Sequence, residues 1–200
     1  MMLLAIIVSS ASILPAVQPS VTIDVASGTE REQRTKQTLQ QLLATYDLRK
    51  YTFTRRVVIE EGAVNHAFPV LTLNARFASA PDELLTSYVH EQIHWHLVNL
   101  SKETDEAIKE LRALFPKVPA GGPEGARDEN STYLHLLVCY LEYRADRELM
   151  GELRAKQVME FWSTDHYTWV YRTVLERARD IGNIAFKYKL VPQQTSPPPK

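Results

Sequence analysis

The chain of 200 residues has one cysteine, Cys139. No internal disulfide can form, so cysteine usage says nothing of the redox compartment. Set among Leu136, Leu137, Val138, Tyr140 and Leu141, that thiol reads as a small core hydrophobe rather than a nucleophile. Glycine is scarce, at seven residues, and neither a P-loop nor a G-x-G-x-x-G occurs, so the chain carries no phosphate-cradling signature. A surplus of positive charge is missing too. Lys and Arg number 23 against 24 Asp and Glu, a formal net charge of -1, which argues against nucleic acid as a partner. The pair Arg55-Arg56 reads as the solvated end of a strand. Nor is there a long apolar run. The opening MMLLAIIVSSASILPAV falls short of the about 20 apolar residues that a membrane span needs.

That opening fits a signal peptide better, with Ser9-Ser10-Ala11 as small residues at a cleavage point. Its n-region has no Lys or Arg, the first basic residue being Arg31. The expectation is export to the periplasm or outside the cell. Membrane anchoring by an uncleaved segment and a cytoplasmic chain are the alternatives. The remainder has an ordinary globular balance, 44% hydrophobic and 24% charged, enough for one core. The expected plan is a leader or anchor over 1–20, a single domain over 21–190 and a disordered tail over 191–200, where QQTSPPPK is low in complexity. There is no internal repeat.

Periodicity places the elements of an α+β fold. VTIDVA at 21–26 alternates as a short strand. Leu39, Leu42, Leu43 and Tyr46 recur as one helical stripe. Tyr51 to Glu61 is rich in β-branched and aromatic residues and reads as a strand. Val70 to Asn74 reads as another, and Pro69 suits it to a sheet edge. Ser79 is the expected cap of a helix reaching about Leu100, and a further helix fits Lys102 to Phe115. A Pro- and Gly-rich loop over 116–130 follows and is expected to gate a cleft. Asn130 or Ser131 then caps a helix through Met150, with Gly151 at its end. Asp165 is the expected cap of a last helix from His166 to about Ile181.

The chemistry starts at SYVHEQIHWHL, Ser87 to Leu97, which contains His90-Glu91-Gln92-Ile93-His94, the pattern H-E-x-x-H. At about 100° per residue, His90 and His94 lie one turn apart beside the buried stripe of Leu85, Val89 and Ile93, with Glu91 flanking His94. Two imidazoles so placed take two corners of a zinc tetrahedron, and the glutamate stands ready as a base without ligating. His96 falls on the other side of the helix and is assigned to packing, as is Trp95.

A catalytic zinc needs a third protein ligand. On STYLHLLVCYLEYRADRELM, the residues His135, Glu142 and Asp146 line up within about 40° of one another on a largely apolar helix. His135 and Glu142 are roughly 10 Å apart along the axis and should not share an ion. Either the row is a solvent-facing edge, or Glu142 ligates while Asp146, one turn on, accepts the far N–H of a ligand histidine.

H-E-x-x-H on one helix followed by E-x-x-x-D on a second resembles the gluzincin, or thermolysin-like, metallopeptidases; VHEQIH and LEYRAD carry the likeness. The segment from about Val21 to Leu190 is also similar to a group of small bacterial proteins, through RVVIEEGAV, PVLTLN, HEQIHW, LVCYLEYRA and YTWVYRTVLE. It departs from them at Asn65 to Pro69, where a histidine directly before the proline is expected. The resemblance implies a minimal gluzincin-like domain, with a small sheet whose edge strand packs on a helical bundle carrying zinc. It implies a peptidase in which His90, His94 and Glu142 hold the ion and Glu91 is the general base. A donor for the developing oxyanion comes from His166 or Tyr167, with His166 favoured. Tyr171 and Trp169 read as core aromatics. The edge strand, through Val70, Thr72 and Asn74, is the expected seat of an extended peptide substrate. Two other classes remain open: a zinc-bearing scaffold without turnover, and an interaction protein whose motif is accidental.

Overall fold

The computed structural model describes residues 20–193. The leader or anchor expected over 1–20 lies outside them except for Ser20, as does the tail from 194. Val191, counted with the tail by sequence, is instead buried in the core.

The chain opens with a β-α-β unit. Strand β1 (Thr22–Val25) leads into α1 (Glu30–Thr45) and returns as β2 (Arg56–Glu60), parallel to β1. The turn before α1 is fixed by a capping box. Thr29 accepts from the Glu32 N–H, and the Glu32 side chain reaches back to Thr29. The same carboxylate accepts from the N–H groups of Ser27 and Gly28 at 2.9 and 2.7 Å and of Glu61 at 3.0 Å. One buried side chain thus joins the β1–α1 turn to the end of β2. Gly28 sits at φ 74°, a conformation that favours glycine.

The strand expected from Tyr51 is shorter at its start. Arg49–Tyr51 form a 3-10 turn, and only Arg56–Glu60 join the sheet. The reason is a side chain from elsewhere. Phe53 and Thr54 donate their N–H groups to Gln92 Oε1 at 2.6 and 2.8 Å, and Gln92 Nε2 donates to Thr54 O at 2.9 Å. Those backbone groups are satisfied without a ladder.

Strand β3 (Leu71–Asn74) pairs parallel with β2, giving the order β1-β2-β3 with β3 at an edge. Its outer side is not free. The connection folds back so that His66 and Thr72 exchange both backbone hydrogen bonds, at 3.1 and 2.8 Å, and Asn74 N–H donates to Asn65 Oδ1 at 2.7 Å. The expectation that Val70, Thr72 and Asn74 receive a substrate along this edge is therefore corrected: the outward groups of Thr72 and Asn74 are taken by the chain's own loop.

Five further helices complete the α+β domain: α2 (Pro81–Asn99), α3 (Ser101–Leu114), α4 (Glu129–Met150), α5 (Glu152–Asp165) and α6 (Thr168–Lys187). Ser79 does not cap α2. Ala80 occupies that position without a side-chain bond, and Pro81 fills the first turn. Asp128, rather than Asn130 or Ser131, caps α4 by accepting from Ser131 N–H at 2.7 Å. Helix α5 has no counterpart in the sequence reading, and Asp165 ends it instead of capping α6.

Helix α2 is buried without a break from Leu84 to Ile93, because β3, α1, α4 and α5 all pack on it. Its polar residues are therefore inside and need partners. Among the described residues no helix is long and apolar enough to cross a membrane.

Candidate metal centre

Helices α2 and α4 run antiparallel where they meet. His94 faces His135, with ring centres 5.0 Å apart, and His90 faces Glu142. The His90 ring lies 5.1 Å from that of His94 and 5.6 Å from that of His135. Among the described residues, His90, His94 and His135 offer ring nitrogens within 4.8 Å of one another, and His90, Cys139 and Glu142 form a second such group.

Glu142, the expected third ligand, thus shares a group with His90 but not with His94. Its Oε2 lies 2.7 Å from His90 Nδ1, the place where the sequence reading put Asp146. Asp146 is fully buried and has no hydrogen-bond partner on either oxygen. The two roles therefore move along α4: His135 comes to the pair of histidines, and Glu142 accepts the far N–H of one of them. Sequence reasoning saw His135 on the correct face and set it aside as too far from Glu142. Here His135, and not Glu142, groups with both motif histidines.

Local structure favours metal-ready imidazoles. His90 Nδ1–H donates to Glu142 and His135 Nδ1–H to Ser131 O at 2.7 Å, which leaves the Nε2 lone pair of each ring free. Burial pushes His90 down to about 4 and His135 down to about 3. Burial, then repulsion from His90 and His135, holds His94 well below its ordinary value. All three rings are neutral near pH 7, the state that ligates. Three imidazoles with a nearby carboxylate suit zinc, as they suit copper, iron and nickel, so the donor set is compatible with the ion that the motif implies.

A cavity of about 530 Å³ opens over this group. Glu91 lines it, and burial, reinforced by the charge of Glu142, pushes its carboxyl up to about 8. His166 and Tyr167 line it as well. His166 follows the last residue of α5, and its Nδ1–H donates to Asp165 Oδ2 at 2.7 Å. Asp165 is gripped in turn by Arg76 through two bonds of 3.1 and 2.7 Å. Tyr167 begins α6 at φ 48°, a left-handed conformation unusual for a tyrosine, and its ring lies 4.4 Å from that of His135.

Tyr171, read from sequence as a core aromatic, is fully buried and also lines the cavity. It donates to Glu142 Oε2 at 3.2 Å. The rule that a buried tyrosine hydroxyl finds a partner was the available signal.

The loop expected to gate the cleft contributes nothing to the cavity wall. It braces α6 instead: Thr168 and Trp169 donate their N–H groups to Pro123 O and Glu124 O at 2.9 and 3.2 Å. Comparison of the chain with family models, curated proteins and solved structures finds no match.

Proposed function

We propose that this protein is a zinc-dependent hydrolase, most specifically a peptidase, in which His90, His94 and His135 hold the ion. The observation that carries this reading is three neutral imidazoles converging at a cavity beside a buried Glu91. In the gluzincin pattern the second-helix glutamate is the third ligand; in this reading His135 takes that part, and Glu142 orients His90.

Zinc, when bound, supplies Lewis acidity and lowers the pKa of water at the site towards about 7. The chain's own residues do the rest. Glu91, whose carboxyl burial raises to about 8 and which a bound cation would return towards the carboxylate, takes a proton from the attacking water and returns it to the leaving amine. Asp165 holds His166 by Nδ1–H, which leaves Nε2 an acceptor in the neutral ring, so Tyr167 is the donor to the oxygen on which negative charge develops, and His166 donates there only as the imidazolium. Glu142 and Tyr171 hold the His90 ring in register. With β3 closed by the loop, an extended peptide lies instead along the next layer, Val64 to Ala67, which lines the cavity. The exposed side chains of Val64 and Phe68 favour apolar residues in it.

The test is a peptide library with the wild type, the Glu91→Gln variant and a chelator, alongside metal analysis. Glu91→Gln should retain one zinc per chain and lose about 10²- to 10⁴-fold in hydrolysis. Cleavage that survives either treatment overturns the mechanism. Stoichiometric zinc in a wild type that cleaves no peptide removes the peptidase and leaves a zinc-binding scaffold.

A further inference from the structure

Behind the three-histidine group lies a second donor set that the proposed reaction does not employ. Cys139, the only cysteine in the chain, is fully buried on α4 and does not line the cavity. A donor atom of Cys139, one of His90 and one of Glu142 lie within 4.8 Å of one another. Tyr171 closes the cluster, its hydroxyl 3.2 Å from Glu142 Oε2 and 3.5 Å from His90 Nδ1.

A second observation points to a ligand. Glu142 Oε1 is buried and has no hydrogen-bond partner, where nearly all buried polar atoms have one. Protein groups satisfy only half of this carboxylate. A cation among Cys139, His90 and Glu142 would engage it.

The donor chemistry differs from that of the outer group. Thiolate and carboxylate together carry two negative charges, which neutralise a divalent ion at a site remote from water, and thiolate selects soft metals. His90 Nδ1 and Glu142 Oε2, now 2.7 Å apart, would separate by roughly 0.6 Å to become neighbouring ligands in a tetrahedron with bonds of about 2.0–2.1 Å.

His90 belongs to both sets. Its Nδ1 faces Glu142 and Tyr171 of the inner set, and the ring that donates from Nδ1 has Nε2 left for the outer set. A neutral imidazole has one lone pair, and its other nitrogen carries the proton. One neutral His90 therefore serves one ion at a time.

We propose that His90, Cys139 and Glu142 form an inner site for a thiophilic divalent cation, and that filling it excludes an ion from the three-histidine site. On filling, the thiol proton, together with any proton held by the Glu142 carboxyl, leaves to solvent and the His90 ring proton moves from Nδ1 to Nε2. The inner site stands without the peptidase reading; the exclusion rests on the three-histidine site.

The probe is cadmium chloride titrated into the metal-free full-length protein. Thiolate-to-cadmium charge-transfer absorption in the ultraviolet and metal content by mass spectrometry are the readouts. The absorption should grow to a plateau at one cadmium per chain. It should vanish in both Cys139→Ser and Cys139→Ala, checked as folded by circular dichroism, and persist in His94→Ala, which breaks the outer site alone. Bound cadmium without the absorption overturns the inner site. Absorption lost in His94→Ala does so too, because the thiol then serves the outer ion. Two cadmium ions per wild-type chain overturn the exclusion. A protein that hydrolyses no peptide would leave both readouts unchanged, so the two proposals fail separately.

Discussion

Replacing Glu142 with glutamine separates an orienting role from a ligating one. Glu142 is 0% exposed, accepts from His90 Nδ1–H at 2.7 Å and from Tyr171 at 3.2 Å, and leaves Oε1 unpartnered. Glutamine keeps an acceptor for His90 but removes the charge. A hydrogen bond to a charged group contributes about 1.5–3 kcal/mol, against about 0.5–1.5 for a neutral one. The difference, roughly 1–1.5 kcal/mol, corresponds to about a 5- to 12-fold loss at 1.36 kcal/mol per tenfold. Loss of the carboxylate's effect on ring basicity extends this towards the about 10- to 100-fold typical of such supporting residues. Zinc affinity, measured by competition with a chromophoric chelator, should therefore fall by about one to two orders of magnitude while stoichiometry stays at one. His135→Ala should abolish stoichiometric binding. Without metal, burial pushes the Glu142 carboxyl well up, towards the neutral form that glutamine resembles, so the melting temperature under chelator should change less than zinc affinity does. The reasoning is refuted if Glu142→Gln loses zinc as completely as His94→Ala while His135→Ala keeps it.

The metal-free protein should be most stable in mildly acidic solution. His90 and His135, held at about 4 and about 3, contribute stability that is present above their unfolded value near 6.5 and lost as pH falls through the folded values. Glu91, raised to about 8 from 4.5, contributes stability that is present below 4.5 and lost as pH rises through 8. Chemical denaturation across pH should give a maximum between these limits under chelator, whereas zinc should weaken the alkaline decline because a cation beside Glu91 favours its carboxylate; an alkaline maximum without metal would contradict the burial of Glu91. At the α4–α6 contact, a Cβ on Gly182 meets the Tyr140 hydroxyl and ring. Gly182→Val should cost about 1–3 kcal/mol by overpacking although valine is the better helix former, while Asn183→Ala, next to it and exposed, should be neutral or stabilising in the same denaturation assay.

The class of fold was legible because alternation and helical stripes are local properties. β1, α1, α2 and α4 lie where Ile23, Leu39, Leu85 and Leu137 call for buried faces. The start of β2 was not legible, since Gln92, 38 residues from Thr54, takes the backbone groups a ladder would use. Helix α5 carried a readable stripe in Ala155, Val158, Met159 and Trp162, all buried, and the sequence reading passed over it. At the site, periodicity put His135, Glu142 and Asp146 on one face but could not say which end of that face meets His94. The antiparallel crossing of α2 and α4 decides this, and it is a tertiary fact. His166 was legible as a cavity residue, but its support was not, because Arg76 reaches Asp165 across 89 residues.

The pairing of His66 with Thr72 also bears on how copies of this molecule meet. A bare strand margin is a template on which identical chains accrete. Here the β3 margin is occupied from within, at the cost of a ten-residue detour between β2 and β3. A substitution such as His66→Pro, which deletes one of the two amides in that exchange, would uncover the template, and its first symptom would be aggregation on concentration rather than unfolding.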